Sequence, residues 1–523
     1  MTLANTSISG WTVSSILGDF GPQALHRPDK LAMVWEHGSR TYGELRSRAL
    51  RLANALRELG LETGDRVGTL MFNRGEIFEL YFACAYAGLT LVPIGFRLTA
   101  TEIASIAGDC EAKVIFTETE LSGVLGDAIE QLSYRPKVIA LSATEGGERY
   151  ERLVNDAAQI KVPFATDIQM ILYTSGTTGK PKGVVMRSVA VMWAAMQQVT
   201  QIRGLDDRAV MLLNAPMYNT AAMNESSIPT FLVGGTVAIL PSRGWTAERF
   251  AECIDKWQVT HALVFPSMFR TMIEADDKSA LALGSMKWWY TGGENCPPAL
   301  IAEARRRWPH VQMSIIYGST ESGMPTLIEG DDIDLHPGSV GRCVPGQSIR
   351  LLDLDGNEVP TGGVGDVWTS GPAVMTNYWK APELDAETIK DGWLKIGDLA
   401  RMDEEGWIYI VGRSKDLIIS KGQNIYPAEI ENVIRQFPAV LDVAVVGLPD
   451  EEFGESVCAA IVLRENTDAG KEEIMNFVLS RLASYKKPRH IVFMADFPIK
   501  NSTKVDKKEL SKICADQLFA QVR

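Results

Sequence analysis

The sequence predicts an α/β protein with a large N-terminal domain of two helix-flanked sheets plus a small β-barrel-like unit, and a smaller α+β C-terminal domain. Short apolar runs alternate with helix-like stretches, a pattern typical of βαβ units and a mostly parallel sheet. The pattern runs from Arg40 to about Ser242 and repeats after Thr260. At 523 residues the chain is too long for one hydrophobic core, so two or more domains are expected.

The two blocks supply the elements of the two sheets. In the first block a helix is predicted over Gly75–Ala87, and the predicted strands are Arg66–Phe72, Leu89–Ile94, Val114–Phe116, Val138–Leu141 and Ile168–Tyr173. In the second block the predicted strands are His261–Phe265, Lys287–Tyr290 and Ser314–Tyr317. Two such blocks indicate two sheets sandwiched by helices.

The pattern changes near Gly338. Ser348–Leu354, the turn Asp355-Gly356 and Val364–Ser370 are typical of hairpin-linked strands, and Trp407–Val411 ends this region. A compact βα segment follows, with predicted strands Leu417–Ser420, Leu441–Val446, Ser456–Leu463 and His490–Phe493 and helices Pro427–Arg435 and Lys471–Arg481. It has the size of a small independent domain.

These changes predict the domain limits. The N-terminal domain is placed at 1–411, with subregions of about 1–170, 171–337 and 338–411. A short polar junction at 412–416 separates it from a C-terminal domain at 417–523.

Composition restricts the function classes. The formal charge of −13 argues against a nucleic-acid or anionic-membrane partner, since either favours a basic face. The N-terminus is not typical of a signal peptide, and no apolar run is long enough to span a bilayer. The seven scattered cysteines show no metal-ligand spacing. We therefore expect a cytoplasmic protein without integral membrane association; a homodimer is left open.

The most informative segment is Tyr173–Gly183, which reads YTSGTTGKPKG and follows an apolar strand. Glycines allow the backbone to approach a polyphosphate, hydroxyls donate hydrogen bonds to it, and lysines neutralise its charge. It is not a Walker A loop, because Lys180 is followed by Pro181 instead of Ser or Thr. A flexible solvent loop is the alternative for such a composition.

This segment resembles the signature of the acyl-adenylate-forming superfamily, and specifically its acyl-CoA synthetase branch of AMP-dependent ligases. Five further segments and one lysine match in the expected order along almost the whole chain. They are Thr291–Glu294, Tyr317–Glu321, Gly397–Leu399, Gly412–Asp416, Ser420–Pro427 and Lys504.

The resemblance implies ATP, Mg²⁺ and coenzyme A as ligands, and it implies a role for each matching residue. Glu321 is the expected Mg²⁺ ligand, and Thr320 is expected to contact the α-phosphate. Asp398 and Arg413 are expected to bind the ribose, and Tyr317 is expected to stack on adenine. The other expected nucleotide- or thiol-binding residues are Thr174, Ser175, Gly176, Thr177, Thr178, Gly179, Lys180, Lys182, Gly292, Gly293, Glu294, Gly318, Ser319, Lys421 and Gly422.

The resemblance also implies a mobile C-terminal domain. Lys504 would bridge the substrate carboxylate and the α-phosphate during adenylation. Lys415 matches the hinge about which that domain rotates before thioester formation, bringing Ser420–Asn424 to the site.

For the acyl pocket the resemblance points to aromatic and methionine side chains, which suit a bulky apolar or aromatic acid. The expected lining residues are Trp193, Met217, Tyr218, Asn219, Trp289, Tyr290, Gly318 and Met324. Asn219 stands where many relatives have histidine and where amino-acid activators have aspartate. Its neutrality speaks against an α-amino acid substrate, and an ordinary polar loop residue is the alternative.

Coenzyme A is the expected acceptor, since no carrier domain follows the C-terminal domain. A ligase that delivers acyl-AMP to a separate carrier protein is the alternative within this class. A non-catalytic binding protein on the same scaffold and a P-loop ATPase are alternatives from other classes. Retention of Lys504, Glu321 and the lysines of the phosphate segment disfavours the binding protein.

Overall fold

The computed structural model describes residues 12–18, 25–141, 148–160, 167–175, 181–276, 280–421, 423–450, 452–465, 467–500 and 504–520. The chain divides into two compact units. The first comprises Met1–Ile349 with Thr369–Leu394, and the second comprises Arg350–Trp368 with Lys395–Arg523. The junction predicted at 412–416 lies within the second unit and remains a prediction.

The strands are numbered along the chain. They are β1 Leu31–Trp35, β2 Gly38–Thr41, β3 Arg66–Leu70, β4 Thr90–Pro93, β5 Val114–Glu118, β6 Lys137–Leu141, β7 Ile168–Ser175, β8 Pro181–Arg187, β9 Val210–Leu213, β10 Thr236–Ile239, β11 His261–Leu263, β12 Trp288–Gly292, β13 Gln312–Ser319, β14 Gly323–Glu329, β15 Arg342–Cys343, β16 Ser348–Leu352, β17 Val364–Ser370, β18 Ile389–Lys390, β19 Trp393–Met402, β20 Ile408–Arg413, β21 Ile418–Ser420, β22 Gln423–Ile425, β23 Val440–Asp450, β24 Gly454–Leu463, β25 His490–Phe493, β26 Ile499–Lys500 and β27 Lys504–Val505.

The α-helices are numbered in the same way. They are α1 Tyr42–Glu58, α2 Glu76–Ala87, α3 Ala100–Cys110, α4 Ser122–Glu130, α5 Glu148–Asp156, α6 Ser188–Gln201, α7 Ile228–Val233, α8 Ala247–Trp257, α9 Pro266–Asp276, α10 Pro298–Arg307, α11 Asp332–Leu335, α12 Pro382–Thr388, α13 Pro427–Ile434, α14 Lys471–Leu479 and α15 Lys507–Ala520. A π-helix spans Ala221–Ser227 and runs directly into α7.

Two sheets form the first unit's framework. One has six strands in the order β6-β5-β3-β4-β7-β8, all parallel except for β8. The other has nine strands in the order β15-β14-β13-β12-β11-β9-β10-β1-β2, with a parallel centre from β13 to β1. Residues 31–41 therefore share a sheet with residues 210–343, although they are distant in sequence.

Helices α1 and α2 pack against each other, and the sequence defines their ends in different ways. Thr41 caps the N-terminus of α1, because its side chain accepts from the Glu44 N–H while the Glu44 carboxylate accepts from the Thr41 N–H. Every residue of α2 is buried, so the helix lies in the protein interior instead of at its surface. Gly88 follows the last residue of α2 and adopts the left-handed conformation with φ 69°, which terminates the helix.

The remaining sheets are smaller. Strands β16, β17, β19 and β18 form one sheet, with β20 paired to β19. In the second unit β22, β21, β24 and β23 form another sheet, with β25 parallel to β24. Helices α13 and α14 cover it with buried Ile430, Ile434 and Ile474.

The predicted fold class is confirmed: a large N-terminal part carries two helix-flanked sheets, and a smaller α+β part follows. The predicted strand Val364–Ser370 has the same bounds in the structure, and the other predicted elements agree to within a few residues. Across the described residues no helix is both long and apolar enough to cross a bilayer.

Candidate active site

Strands β7 and β8 hold the two ends of the phosphate segment. They pair antiparallel, with Thr174 opposite Lys182 and Ser175 opposite Pro181. The residues predicted to wrap the phosphates, Gly176, Thr177, Thr178, Gly179 and Lys180, lie outside the described residues, as does the side chain of Ser175. The described ends of the segment therefore lie side by side on neighbouring strands.

Tyr378 links the phosphate segment to the predicted metal ligand. Its hydroxyl donates a hydrogen bond to Glu321 Oε1 at 3.2 Å, and the Lys182 ammonium lies 5.7 Å from its ring centroid. A bridge between Val184 and Tyr378 and a 2.8 Å bond from the Met375 N–H to the Glu321 carbonyl fix the backbones. Burial, followed by the nearby Glu321 carboxylate, raises the pKa of Tyr378, so its hydroxyl retains the proton that it donates.

Glu321 lies in the tight turn between β13 and β14. The N–H groups of Ser319 and Ser322 each donate to the other residue's hydroxyl, at 2.9 and 3.2 Å. A Cβ at Gly318 would lie 1.8 Å from the Gly323 carbonyl oxygen, so this hairpin requires glycine there. The turn places Thr320 and Glu321 beside each other at the end of the hairpin, with Tyr317 on the preceding strand.

The Thr291–Glu294 segment follows the end of β12. A Cβ at Gly292 would lie 2.1 Å from the carbonyl oxygen of Ile316 on β13, so only glycine permits this close approach. The carboxylate of Glu294 accepts from the N–H and the hydroxyl of Ser267, both at 3.0 Å. The side chain of Glu294 is thus engaged by the start of α9, and the segment would meet a ligand through its backbone.

The predicted acyl-pocket residues are distributed over several elements. Trp193 is half-buried on α6, Met217 and Met324 are buried, and Asn219 is exposed. The Met217 N–H donates to Asn73 Oδ1 at 2.9 Å. The Tyr218 ring meets Phe96 edge-on, with 5.5 Å between centroids.

Trp289 and Tyr290 are neighbours on β12 and point to opposite faces of the sheet. Trp289 packs between Phe269 and Trp308, at centroid distances of 5.0 and 5.2 Å. Tyr290 joins a different cluster with Met211 and Leu263.

Asp398 and Arg413 form an ion pair in the second unit. They lie opposite each other on β19 and β20, with 2.9 Å between the Arg413 Nε and the Asp398 Oδ1. Asp398 is buried whereas the Arg413 side chain is half-exposed. The pair therefore presents a buried acceptor-only carboxylate beside a guanidinium.

The hinge candidate and the C-terminal motif lie in the same unit. Lys415 is exposed on a single 3₁₀ turn, Ser414–Asp416, where the Ser414 hydroxyl bonds to Asp366. Lys421 adopts a left-handed backbone with φ 48°, and its N–H donates to the Phe453 carbonyl at 2.8 Å. Gly422 lies outside the described residues.

The backbone of Lys504 is described but its side chain is not. Lys504 lies on β27, opposite Lys500 on β26.

Two residues that the sequence did not single out have chemical significance. Tyr378 has no motif signal, because its contacts come from a bridge to a strand nearly two hundred residues earlier in the chain. Glu225 occupies the π-helix immediately after Asn219, where a carboxylate in a polar-looking helix gave no signal. Single-turn π-helices are frequent at functional sites.

Among the described side chains, no group of three or more His, Cys, Asp or Glu residues is arranged to hold a metal ion. A Mg²⁺ ion that takes most of its ligands from substrate phosphates and water needs only one or two protein carboxylates. Glu321, whose carboxylate contacts the same tyrosine as the Lys182 ammonium, fits that requirement.

The chain matches two family models. Residues 20–379 match the AMP-binding enzyme model, and residues 429–504 match the model for the C-terminal domain of AMP-binding enzymes.

Individual relatives cover almost the whole chain. An indoleacetate–CoA ligase from Aromatoleum aromaticum is 32% identical over 94% of this chain and 97% of its own length. A fatty acid–[acyl-carrier-protein] ligase, ScoC, from Streptomyces coeruleorubidus is 32% identical over 93% of this chain and 94% of its own. The crystal structure of ATP-bound MatB from Rhodopseudomonas palustris superposes with a TM-score of 0.85 at 28% identity, covering 96% of this chain and 98% of that chain.

The motifs, the fold and these matches agree with one another along the chain. The chain therefore belongs to the AMP-binding enzyme family, in the acyl-CoA synthetase branch of the acyl-adenylate-forming superfamily, and is an AMP-forming acid–thiol ligase.

Proposed function

We propose that this enzyme is an ATP-dependent carboxylic acid:CoA ligase that acts on a bulky apolar or aromatic acid. In the first step a carboxylate oxygen attacks the α-phosphorus of ATP, the bond to the β-phosphate oxygen breaks, and pyrophosphate leaves. In the second step the thiol sulfur of coenzyme A attacks the acyl carbon, the bond to AMP breaks, and the thiol proton is released.

The Lys182–Tyr378–Glu321 arrangement carries this proposal. The Lys182 ammonium and the Glu321 carboxylate both contact Tyr378, next to the ends of the phosphate segment. Lys182 would neutralise phosphate charge as a point cation, and Glu321 would hold Mg²⁺, which supplies further charge neutralisation when bound. Positioning and electrostatic stabilisation are the main contributions a protein makes to this kind of phosphoryl chemistry.

The other roles are proposed from the matching motifs. Tyr317 and the backbone of Gly292–Glu294 would bind adenine, and Thr320 would contact the α-phosphate. Asp398, an acceptor-only carboxylate, would take both ribose hydroxyls, with Arg413 beside it. Lys504 would act in adenylation, and rotation about Lys415 would then bring Lys421 and Gly422 into use for thioester formation.

The acid class is supported by the pocket side chains and by one relative. Half-buried Trp193 and Tyr218 offer aromatic surfaces to an acyl group. The indoleacetate–CoA ligase, named for an aromatic acid, matches 94% of this chain.

Pyrophosphate release tests the proposal. The enzyme is given ATP, Mg²⁺ and a panel of fatty, aryl, alicyclic and amino acids, with and without coenzyme A. We expect release that depends on an aryl or bulky apolar acid and turns over fully only with coenzyme A. Inorganic phosphate as the product, or release that peaks with an α-amino acid, would contradict the proposal.

A carrier-protein ligase is the second candidate, since ScoC is as similar to this chain as the indoleacetate relative is. Acyl transfer to a phosphopantetheine-loaded carrier protein, measured beside transfer to free coenzyme A, separates the two. Faster transfer to the carrier at equal thiol concentration would favour this second candidate.

A further inference from the structure

Glu225 is a carboxylate inside the first unit whose described neighbours provide no partner for it. It lies on the π-helix Ala221–Ser227, and among the described residues it has no hydrogen bond or ion pair. Its side chain is partly accessible to water, yet burial alone raises its pKa to about 7. Glu225 is therefore largely enclosed by protein without being sealed in packed core, so water can reach it.

The helix geometry shows which way Glu225 points. Ala221 and Glu225 are four residues apart and share one face of the helix. Ala221 packs against the cluster that contains Tyr290 and Met211. On another face, Asn224 accepts a hydrogen bond from the Tyr81 hydroxyl at 3.0 Å and is fully engaged by the core. Glu225 therefore faces the same side as Tyr290.

Further polar atoms near this cluster lack partners. The Tyr290 hydroxyl and the Gln198 Nε2 are buried, and neither bonds to any described residue. Gln198 lies on α6, which packs against the π-helix and also carries Trp193. Buried polar groups are almost always hydrogen-bonded, so donors and acceptors left open around one region indicate a polar ligand.

Among the described residues, the elements that pack most extensively on the π-helix offer Glu225 no lysine or arginine. The elements that pack most extensively on the π-helix are α6, α7, β9 and β11. Their only titratable side chain is His261, which bonds Thr260 Oγ1 through Nδ1 and stacks on Tyr290. Burial lowers the pKa of His261 to about 4 and raises that of Tyr290, so both rings are uncharged near neutrality.

We infer that Glu225 and the Tyr290 hydroxyl form the polar end of the acyl pocket and select an acid bearing a hydrogen-bond donor remote from its carboxylate. The donor is an O–H or N–H group on an otherwise apolar, ring-bearing acyl group. This inference rests on the proposed function, because it assigns the acid of that reaction. An alkyl acid would leave the Glu225 carboxylate desolvated and unpaired. A site with buried polar groups discriminates strongly against ligands that cannot pair them.

Matched acids that differ by one donor test the inference. Suitable pairs are 4-hydroxycinnamate with cinnamate, indole-3-acetate with 1-methylindole-3-acetate, and 4-aminophenylacetate with phenylacetate. For wild type we expect the acid with the donor to have the higher kcat/KM in pyrophosphate release, by about tenfold to about a hundredfold in at least one pair. The three pairs distinguish a hydroxyl, an indole N–H and an amine.

Glu225→Leu and Glu225→Gln test the residue itself. Glu225→Leu removes the acceptor, so the ratio of kcat/KM between the two acids of a pair should fall to about one. Glu225→Gln retains an acceptor oxygen, so its preference for the acid with the donor should lie between those of wild type and Glu225→Leu. Glu252→Leu and Glu252→Gln, on the exposed face of α8, are the matched controls and should keep the wild-type preference.

Acid binding without ATP separates this inference from the proposed function. Calorimetric titration of the same pairs measures the preference without requiring turnover. Tighter binding of the donor acid by wild type, lost in Glu225→Leu, would support the inference even if no pyrophosphate were released. The inference would be overturned if wild type showed no preference or if Glu225→Leu kept the wild-type preference. Equal loss of affinity for both acids in a folded variant would also overturn it.

Discussion

The hydroxyl of Tyr378 donates to the carboxylate of Glu321, with 3.2 Å between the two oxygens. The contact joins the turn after β13 to the chain segment that pairs with β8. It orients a carboxylate that would otherwise rotate freely in a partly exposed turn. If Glu321 holds Mg²⁺, as proposed, Tyr378 is a positioning residue, because it acts through the carboxylate.

Tyr378→Phe is therefore expected to weaken Mg²⁺ binding and to raise the Mg²⁺ concentration that adenylation requires. The ring beside Lys182 is kept, and only the hydrogen bond to Glu321 is lost. We expect kcat/KM for pyrophosphate release to fall about tenfold to about a hundredfold, with partial recovery at raised Mg²⁺. Tyr409→Phe is the matched control, since its hydroxyl bonds Asp403 at 3.3 Å in another hairpin. An Mg²⁺ dependence equal to wild type would exclude this positioning role.

Asp398→Asn tests ribose binding. An amide keeps the shape but replaces one acceptor oxygen with a donor, so it cannot accept from two hydroxyls as a carboxylate does. We expect the KM for ATP to rise about tenfold and the preference for ATP over 2′-deoxy-ATP and 3′-deoxy-ATP to shrink. Asp442→Asn, which alters the Asp442–Arg435 pair at 3.3 Å in the same unit, is the control. A higher KM with unchanged preference would indicate a purely structural role.

Lys504→Ala separates the half-reactions. If Lys504 bridges the carboxylate and the α-phosphate, its loss should abolish pyrophosphate release and largely spare thioester formation from supplied acyl-adenylate. Both half-reactions are measured on one preparation, with Lys508→Ala, at an exposed position of α15, as a nearby control. Equal loss of both activities would count against this role.

The sequence predicts most of the fold because its strands are short apolar runs bounded by turn residues. Two strands, His490–Phe493 and Val364–Ser370, have the predicted bounds. Their apolar runs and the residues that end them are adjacent in the sequence, so local pattern is enough to define them. Pairings between distant segments could not be predicted in this way. The addition of Leu31–Thr41 to the second sheet is one such pairing.

The same distinction applies to the site. The motifs identified Glu321, Lys182 and Asp398 because each lies in a short segment that matches a motif of the family. Tyr378 and Glu225 carry no such pattern, and their interest comes from the groups placed around them in three dimensions. The contrast between Trp289 and Tyr290 depends on which face of β12 each residue occupies. That could be stated only after the strand and its neighbours were known.

The burial of Glu225 also predicts how the free energy of unfolding depends on pH. Burial raises its pKa from 4.5 to about 7, so between these values the folded protein holds a proton that the unfolded chain has lost. Stability is therefore lost as pH rises through this window. Glu225→Gln removes the effect and should be more stable than wild type at pH 8, by up to about 3 kcal/mol, but not at pH 4.5.

The comparison between variant and wild type isolates this contribution from that of His261. His261 acts in the opposite direction, because its lowered pKa removes stability as pH falls below about 6.5. It is present in both proteins, so its effect cancels in the difference between them. Urea unfolding midpoints at half-unit steps from pH 4.5 to 8, followed by tryptophan fluorescence, measure that difference. A constant difference across the range would mean that Glu225 titrates like an exposed glutamate and that the surrounding protein does not desolvate it.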